Sequence, residues 1–237
     1  MKKLLFVYTL SLSIFFSCSP SPEKQAEEII ASSISYHDPK SNWGNLERIV
    51  VEKQQINYDA EGLETSEIIF SQEFRLKPYF EAKSAWEKDS VAHKVTFDGL
   101  KVSYMMGENE VLNEGFLKSK RAEIELGYQD LVMPMIISSL SKSSVYQNRT
   151  NLSDNREAEI VKMELKDGRM IDLYFLPENH QLIAYKQRIR NEYEVVNTVE
   201  MQDYEGINFP AKKEIFAADS LGNHLYLKSK ISYRFLN

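Results

Sequence analysis

Few side chains in this 237-residue sequence are of a type and spacing suited to chemistry, and the clearest is a thiol. Cys18 is the only cysteine. It follows Lys2, Lys3 and the run Leu4 to Phe16, which is apolar apart from hydroxyl side chains. A positive start followed by about a dozen apolar residues has the layout of a secretory signal peptide, and falls short of the ~20 residues a bilayer-spanning helix needs. A secreted protein relying on disulfides would show an even cysteine count, so a lone thiol at this position needs another use. His37-Asp38 is the only adjacent pair of a histidine and an acid. Catalysis there would require a nucleophile within hydrogen-bond reach, and the sequence nominates none. Helix termination, with the imidazole near the negative end of the helix dipole, accounts for the pair. The four histidines lie far apart, so no zinc site is legible, and no nucleophile elbow, P-loop or dinucleotide fingerprint occurs. The expectation is no catalytic residue, no metal and no cofactor.

The ending Phe15-Phe16-Ser17-Cys18 resembles the lipobox of bacterial lipoproteins, with Phe15 where that pattern usually has Leu. The resemblance implies that residues 1–17 are a lipoprotein signal peptide and that acylated Cys18 becomes the mature N-terminus. Acyl chains would then hold the protein at a membrane, since each buried methylene contributes about 0.8 kcal/mol. Ser19, not Asp, follows the cysteine, which by the same resemblance implies the outer membrane over the inner. Residues 18–25 read as a lipidated tether and 26–237 as a single domain.

Loss of residues 1–17 removes two lysines and no acid, taking the net charge from −6 to −8. Acidity of that size, with scattered basic residues, argues against nucleic acid as a partner. Lys118, Lys120 and Arg121 form the one basic cluster, expected as a solvated loop. Thirteen tyrosines and twelve phenylalanines, with only nine glycines and seven prolines, favour long β-strands over a loop-rich chain.

The elements follow from periodicity. Ala26, Ile29, Ile30, Ser33 and Ile34 share one helical face, which should end at His37-Asp38-Pro39. Beyond Leu46 the chain alternates as strands do. Asp98-Gly99 predicts a hairpin that pairs Phe97 with Leu100, Val95 with Val102, His93 with Tyr104 and Val91 with Met106. A second hairpin surrounds Asp167-Gly168. The preferred register pairs Leu165 with Ile171, Met163 with Leu173 and Val161 with Phe175. Pro177 to His180 should turn the chain again, and the even spacing of Leu225, Leu227, Ile231, Tyr233 and Phe235 predicts a last strand. Tight turns between successive strands imply a large antiparallel sheet. The longest apolar run after the leader, residues 131–137, contains Pro134 and is expected as a short helix from Pro134 to Leu140 that plugs the sheet and can move as a lid.

Two segments carry a family resemblance. Ala26-Glu27-Glu28-Ile29-Ile30, then Ser35 to Lys40 and Trp43, resembles the mature start of an uncharacterised lipoprotein family common in Bacteroidota. Tyr204-Glu205-Gly206-Ile207-Asn208-Phe209-Pro210-Ala211-Lys212 is similar to the late strands of LolA/LolB-type lipoprotein carriers. The resemblance implies a mainly β fold, a large curved antiparallel sheet forming an open half-barrel, with a few helices on its concave face. It also implies a non-catalytic, membrane-anchored protein binding a lipid or other apolar ligand. The alternative is a structural or interaction lipoprotein that holds an envelope partner and encloses no ligand. Phe74, Leu76, Tyr79, Phe80, Met133, Met135 and Ile136 are the candidate cavity lining, and His37, Asp38 and Trp43 the expected junction between first helix and first strand.

Overall fold

A computed structural model describes residues 20–152, 155–189 and 191–236, so Cys18 and the expected signal peptide lie outside the described residues. The first helix, α1 (Pro22–His37), starts where Ser21 accepts the Lys24 N–H and proline occupies the first turn. Residues 22–25, expected as tether, are therefore helical. Its apolar stripe buries Ala26, Ile29, Ile30 and Ser33.

Six strands follow: β1 (Arg48–Tyr58), β2 (Glu64–Arg75), β3 (Glu81–Lys88), β4 (Val91–Phe97), β5 (Val102–Met106) and β6 (Asn109–Glu110). A long helix, α2 (Glu114–Leu140), separates them from seven more. These are β7 (Ser141–Asn151), β8 (Glu157–Leu165), β9 (Met170–Phe175), β10 (Leu182–Ile189), β11 (Glu192–Tyr204), β12 (Ile207–Ala218) and β13 (His224–Phe235). All thirteen join one antiparallel sheet in the order β6-β5-β4-β3-β2-β1-β13-β12-β11-β10-β9-β8-β7. The sheet is not closed and forms a curved open half-barrel.

That order dictates where α2 must lie. The chain begins at the centre of the sheet, walks out to the β6 edge, and resumes at the opposite edge with β7. Only α2 makes that crossing, and its 27 residues span about 40 Å at 1.5 Å each. It therefore runs across the concave side, where Leu131, Val132 and Ile137 are fully buried. The expected helix over 134–140 is the last quarter of this element. The segment before it is helical because Asn113 caps its start and the charged residues pair at helical spacing, Lys120 with Glu123 and Arg121 with Glu125. The basic cluster is thus on a helix, not in a loop.

Both hairpins fold with the expected faces but not the expected partners. Phe97 lies opposite Val102, Val95 opposite Tyr104 and His93 opposite Met106, while Leu100 sits in the turn, 85% exposed. The Asp98 carboxylate accepts the N–H groups of Leu100 and Lys101, which moves the tip of the turn to Gly99-Leu100. Gly99 is required there: its φ is +93°, and a Cβ would stand 3.0 Å from the Tyr79 ring. In the second hairpin Met163 faces Ile171, Val161 faces Leu173 and Glu159 faces Phe175. The Leu165 N–H donates to the Arg169 carbonyl, leaving Lys166-Asp167-Gly168 as the loop. Each register is displaced by two, an even number, so the strand side chains keep their expected faces, while Leu100, expected inward opposite Phe97, is carried out into the turn.

Candidate functional site

The inward side chains of neighbouring strands form rows across the sheet, and two positions on β2 show how differently those rows are used. Phe74 lies opposite Ile49 and Ala82, beneath Tyr128 of α2, and is fully buried. Four residues earlier, Phe70 lies opposite Lys53 and Trp86 and is only half-buried, because it borders open space beneath α2. The space is a cavity of about 680 Å³ between α2 and the sheet. Ile68, Phe70, Trp86 and Tyr104 line one side of it, Ile171, Tyr185 and Val196 the other, with Ile124, Gly127 and Met133 above. Gly127 has nothing within 4 Å of where a Cβ would stand. The aromatic wall is ordered: Trp86 stacks on His93 at 5.2 Å, and the Tyr104 hydroxyl and His93 Nδ1 are hydrogen-bonded at 2.6 Å. Lys120 reaches over Trp86, Tyr104 and Phe116 while paired to Glu123.

A polar cluster fastens α2 to the floor of this cavity. Pro134 lies inside the helix and has no N–H for the carbonyl four residues back, that of Asp130. The Lys213 ammonium supplies the missing donor, at 2.6 Å from Asp130 O and 2.6 Å from its carboxylate. The hydroxyls of Tyr185 and Tyr233 also donate to that carboxylate. Burial pulls the Asp130 carboxyl upward, but the Lys213 charge and hydrogen bond, the Tyr185 hydrogen bond and the Lys53 charge outweigh it and hold the group below the usual carboxylate range. Burial beside this carboxylate pushes both tyrosines well above their usual values. One carboxylate thus anchors α2 to β10, β12 and β13. The apolar segment at 131–137, expected as a movable plug, is held by a polar cluster as well as by packing.

The expected lining residues divide. Met133 lines the cavity. Phe74, Leu76, Phe80, Met135 and Ile136 are packed into the core, and Tyr79 is 55% exposed with Arg75 over its ring at 4.8 Å. Lys53, Phe70, Trp86, Gln187 and Asp130 line the cavity and escaped the sequence reading. A signal existed for one of them: an acid four residues before a mid-helix proline sits beside a freed carbonyl.

His37, Asp38 and Trp43 meet where α1 passes into β1. The Leu182 N–H donates to His37 Nε2 at 3.2 Å, so the proton is on Nδ1, which donates to the Asn208 carbonyl at 3.0 Å. Burial pushes the imidazole pKa down to about 4, against the Asn208 hydrogen bond that raises it. The Asp38 carboxylate accepts the N–H groups of Asn42 and Trp43 at 2.7 and 2.9 Å. Trp43 is half-buried, edge-on to Phe209. The imidazole and the carboxylate are both spent on the backbone. Among the described residues no group of three His, Cys, Asp or Glu side chains could hold a metal ion.

No protein-family profile and no curated protein matches this sequence. Its fold is similar to several solved structures. A DUF1329 family protein from Desulfovibrio piger has a TM-score of 0.58 at 9% identity, over 92% of this chain and 92% of that one. A putative outer membrane lipoprotein-sorting protein domain from Vibrio parahaemolyticus has a TM-score of 0.54 at 7% identity, over 91% and 94% of the two chains. A LolA superfamily protein from Nitrosomonas europaea has a TM-score of 0.51 at 11% identity, over 88% and 91%. At these identities the likeness is one of fold.

Proposed function

We propose that this protein is a non-catalytic lipoprotein of the cell envelope that binds a lipid or other apolar ligand between α2 and the concave sheet. The cavity carries the reading. Ligand sites in proteins typically enclose about 300–1,000 Å³ with mainly apolar and aromatic walls, and this one, at about 680 Å³, is walled by Phe70, Trp86, Tyr104, Ile68 and Val196. The turns beyond the cavity end of the strands add exposed apolar side chains, Leu63 between β1 and β2 and Leu221 between β12 and β13. One of the structurally similar proteins is described as a putative outer membrane lipoprotein-sorting protein domain, which agrees with this assignment. The same reading places acylated Cys18 as the anchor, with the outer membrane as its location.

Binding is tested with the neutral fluorophore N-phenyl-1-naphthylamine. The wild-type protein should bind it, and Gly127→Leu should bind at least tenfold more weakly. That variant removes a helix-interior glycine and fills open space, so its stability should hold or rise by about 1 kcal/mol. A wild-type protein that leaves the probe unbound would remove the ligand reading. Anchoring is tested by metabolic labelling with an alkyne fatty acid, where Cys18→Ala should carry no label.

A further inference from the structure

The cavity floor holds a cation whose only neighbours in charge and ring contact are a carboxylate already in use and one aromatic face. Lys53, on β1, stands between Phe70 and Tyr233 in its row, with its ammonium 5.4 Å from the Phe70 ring centroid. It has no ion pair and no hydrogen bond among the described residues. The other charged groups facing the cavity are engaged. Asp130 is held by Lys213, Glu194 by Lys228 at 2.6 Å, Arg169 by Asp167 at 2.8 Å and Lys120 by Glu123 at 2.7 Å. Lys88 also has no ion pair among the described residues, but it is exposed at the turn between β3 and β4. On the floor, therefore, the ammonium groups of Lys53 and Lys213 share a single carboxylate. That carboxylate is already saturated by Lys213 and two tyrosine hydroxyls.

A desolvated cation without a partner is costly, and a protein free to place any residue there would gain by an apolar one. Burial pushes the Lys53 pKa down, in keeping with that cost. The other polar side chains of that part of the lining, Gln55, Gln72 and Gln187, are neutral, and the Gln55 and Gln72 amides already donate to Asn57 and Ser84. Building on the ligand-binding reading above, we propose that the cavity selects an amphipathic acid: a single acyl chain lies along Phe70, Trp86 and Ile68, and its anionic head, carboxylate or phosphate, pairs with Lys53.

The test compares cis-parinaric acid with its methyl ester, using the full chain kept in solution by an amphipathic polymer. One charge-assisted hydrogen bond is worth about 1.5–3 kcal/mol, so the wild-type protein should bind the acid at least about tenfold more tightly than the ester. Lys53→Met should lose that preference while keeping the affinity for the ester, and Lys53→Arg should retain it. Displacement of the bound acid by palmitate, by 1-palmitoyl lysophosphatidate or by both supports the inference and identifies the head group. Displacement by hexadecanol as effective as by palmitate overturns it. Equal wild-type binding of acid and ester overturns the anion anchor and leaves the apolar-ligand reading standing; binding of neither overturns both. The wild-type comparison decides the matter even where a variant fails to fold.

Discussion

Phe70 and Phe74 stand on one strand, point to one face and differ by two repeats of the β period, yet one is core and the other is wall. Phe74 is sealed by Phe80 and Tyr128, with ring centroids at 6.5 and 5.3 Å. Phe70 has Trp86 beside it at 5.4 Å and Lys53 over its ring, and above them a void. The packed end of the concave face is aromatic on both layers. At the hollow end α2 presents Gly127, Gln129 and Asp130 between Ile124 and Met133, and the apolar side chains border the space without filling it. A cavity in this sheet is therefore made by the helix that crosses it, not by the strands.

The largest effect should come from the pin that joins the two ends. Asp130→Ala would leave Lys213, 3% exposed, as an uncompensated buried charge. Loss of one partner of a buried pair costs about 3–5 kcal/mol, which urea denaturation at pH 7 would read. A loss under 1 kcal/mol would mean that packing alone holds α2 and that the hollow end can open.

Next comes the packed end itself. Phe74→Ala should cost about 3–5 kcal/mol, as deletion of a fully buried aromatic ring does. Phe70→Ala should cost about 1 kcal/mol or less, because its ring borders space that is already open. Equal losses from both would erase the distinction between core and wall.

The helix junction should respond to pH instead. His37 is buried neutral with a pKa near 4, against about 6.5 in the unfolded chain. Between those values the unfolded state binds a proton that the folded state refuses. Stability is thus complete above pH 6.5 and falls by about 3 kcal/mol as the pH drops towards 4. Asp130 does not blur this window, since its lowered pKa places its own loss at still lower pH. Denaturation midpoints at pH 7 and 4.5 check the fall, and His37→Gln should flatten it.

An effect between those of Phe74 and Phe70 is expected at the junction's rim. Trp43 is half-buried, so Trp43→Ala should cost less than Phe74→Ala, about 2 kcal/mol in the same urea assay. A cost matching Phe74 would place the indole in the packed end proper.

The sequence by itself determined which faces are buried. Period-2 alternation assigned Phe97, Val95, Met163 and Ile171 to the core side, and an even displacement in both hairpins left those assignments intact. The stripe of α1 and its stop at His37 were legible for the same reason, since 3.6-residue periodicity and an X-Pro step are local signals. The resemblance to LolA-type carriers carried the half-barrel, and the open thirteen-strand sheet agrees with it. Strand partners were decided by the Asp98 carboxylate and the Leu165–Arg169 pairing, details of turn hydrogen bonding that Asp-Gly alone does not specify. The length of α2 was hidden because Pro134 reads as a helix start. Only the fold brings Lys213, 83 residues away, to the carbonyl that the proline frees. The cavity was the least legible of all. Whether an inward aromatic is sealed or left bordering a void depends on what the opposite layer places above it, and that layer is set by tertiary structure, not by spacing along a strand.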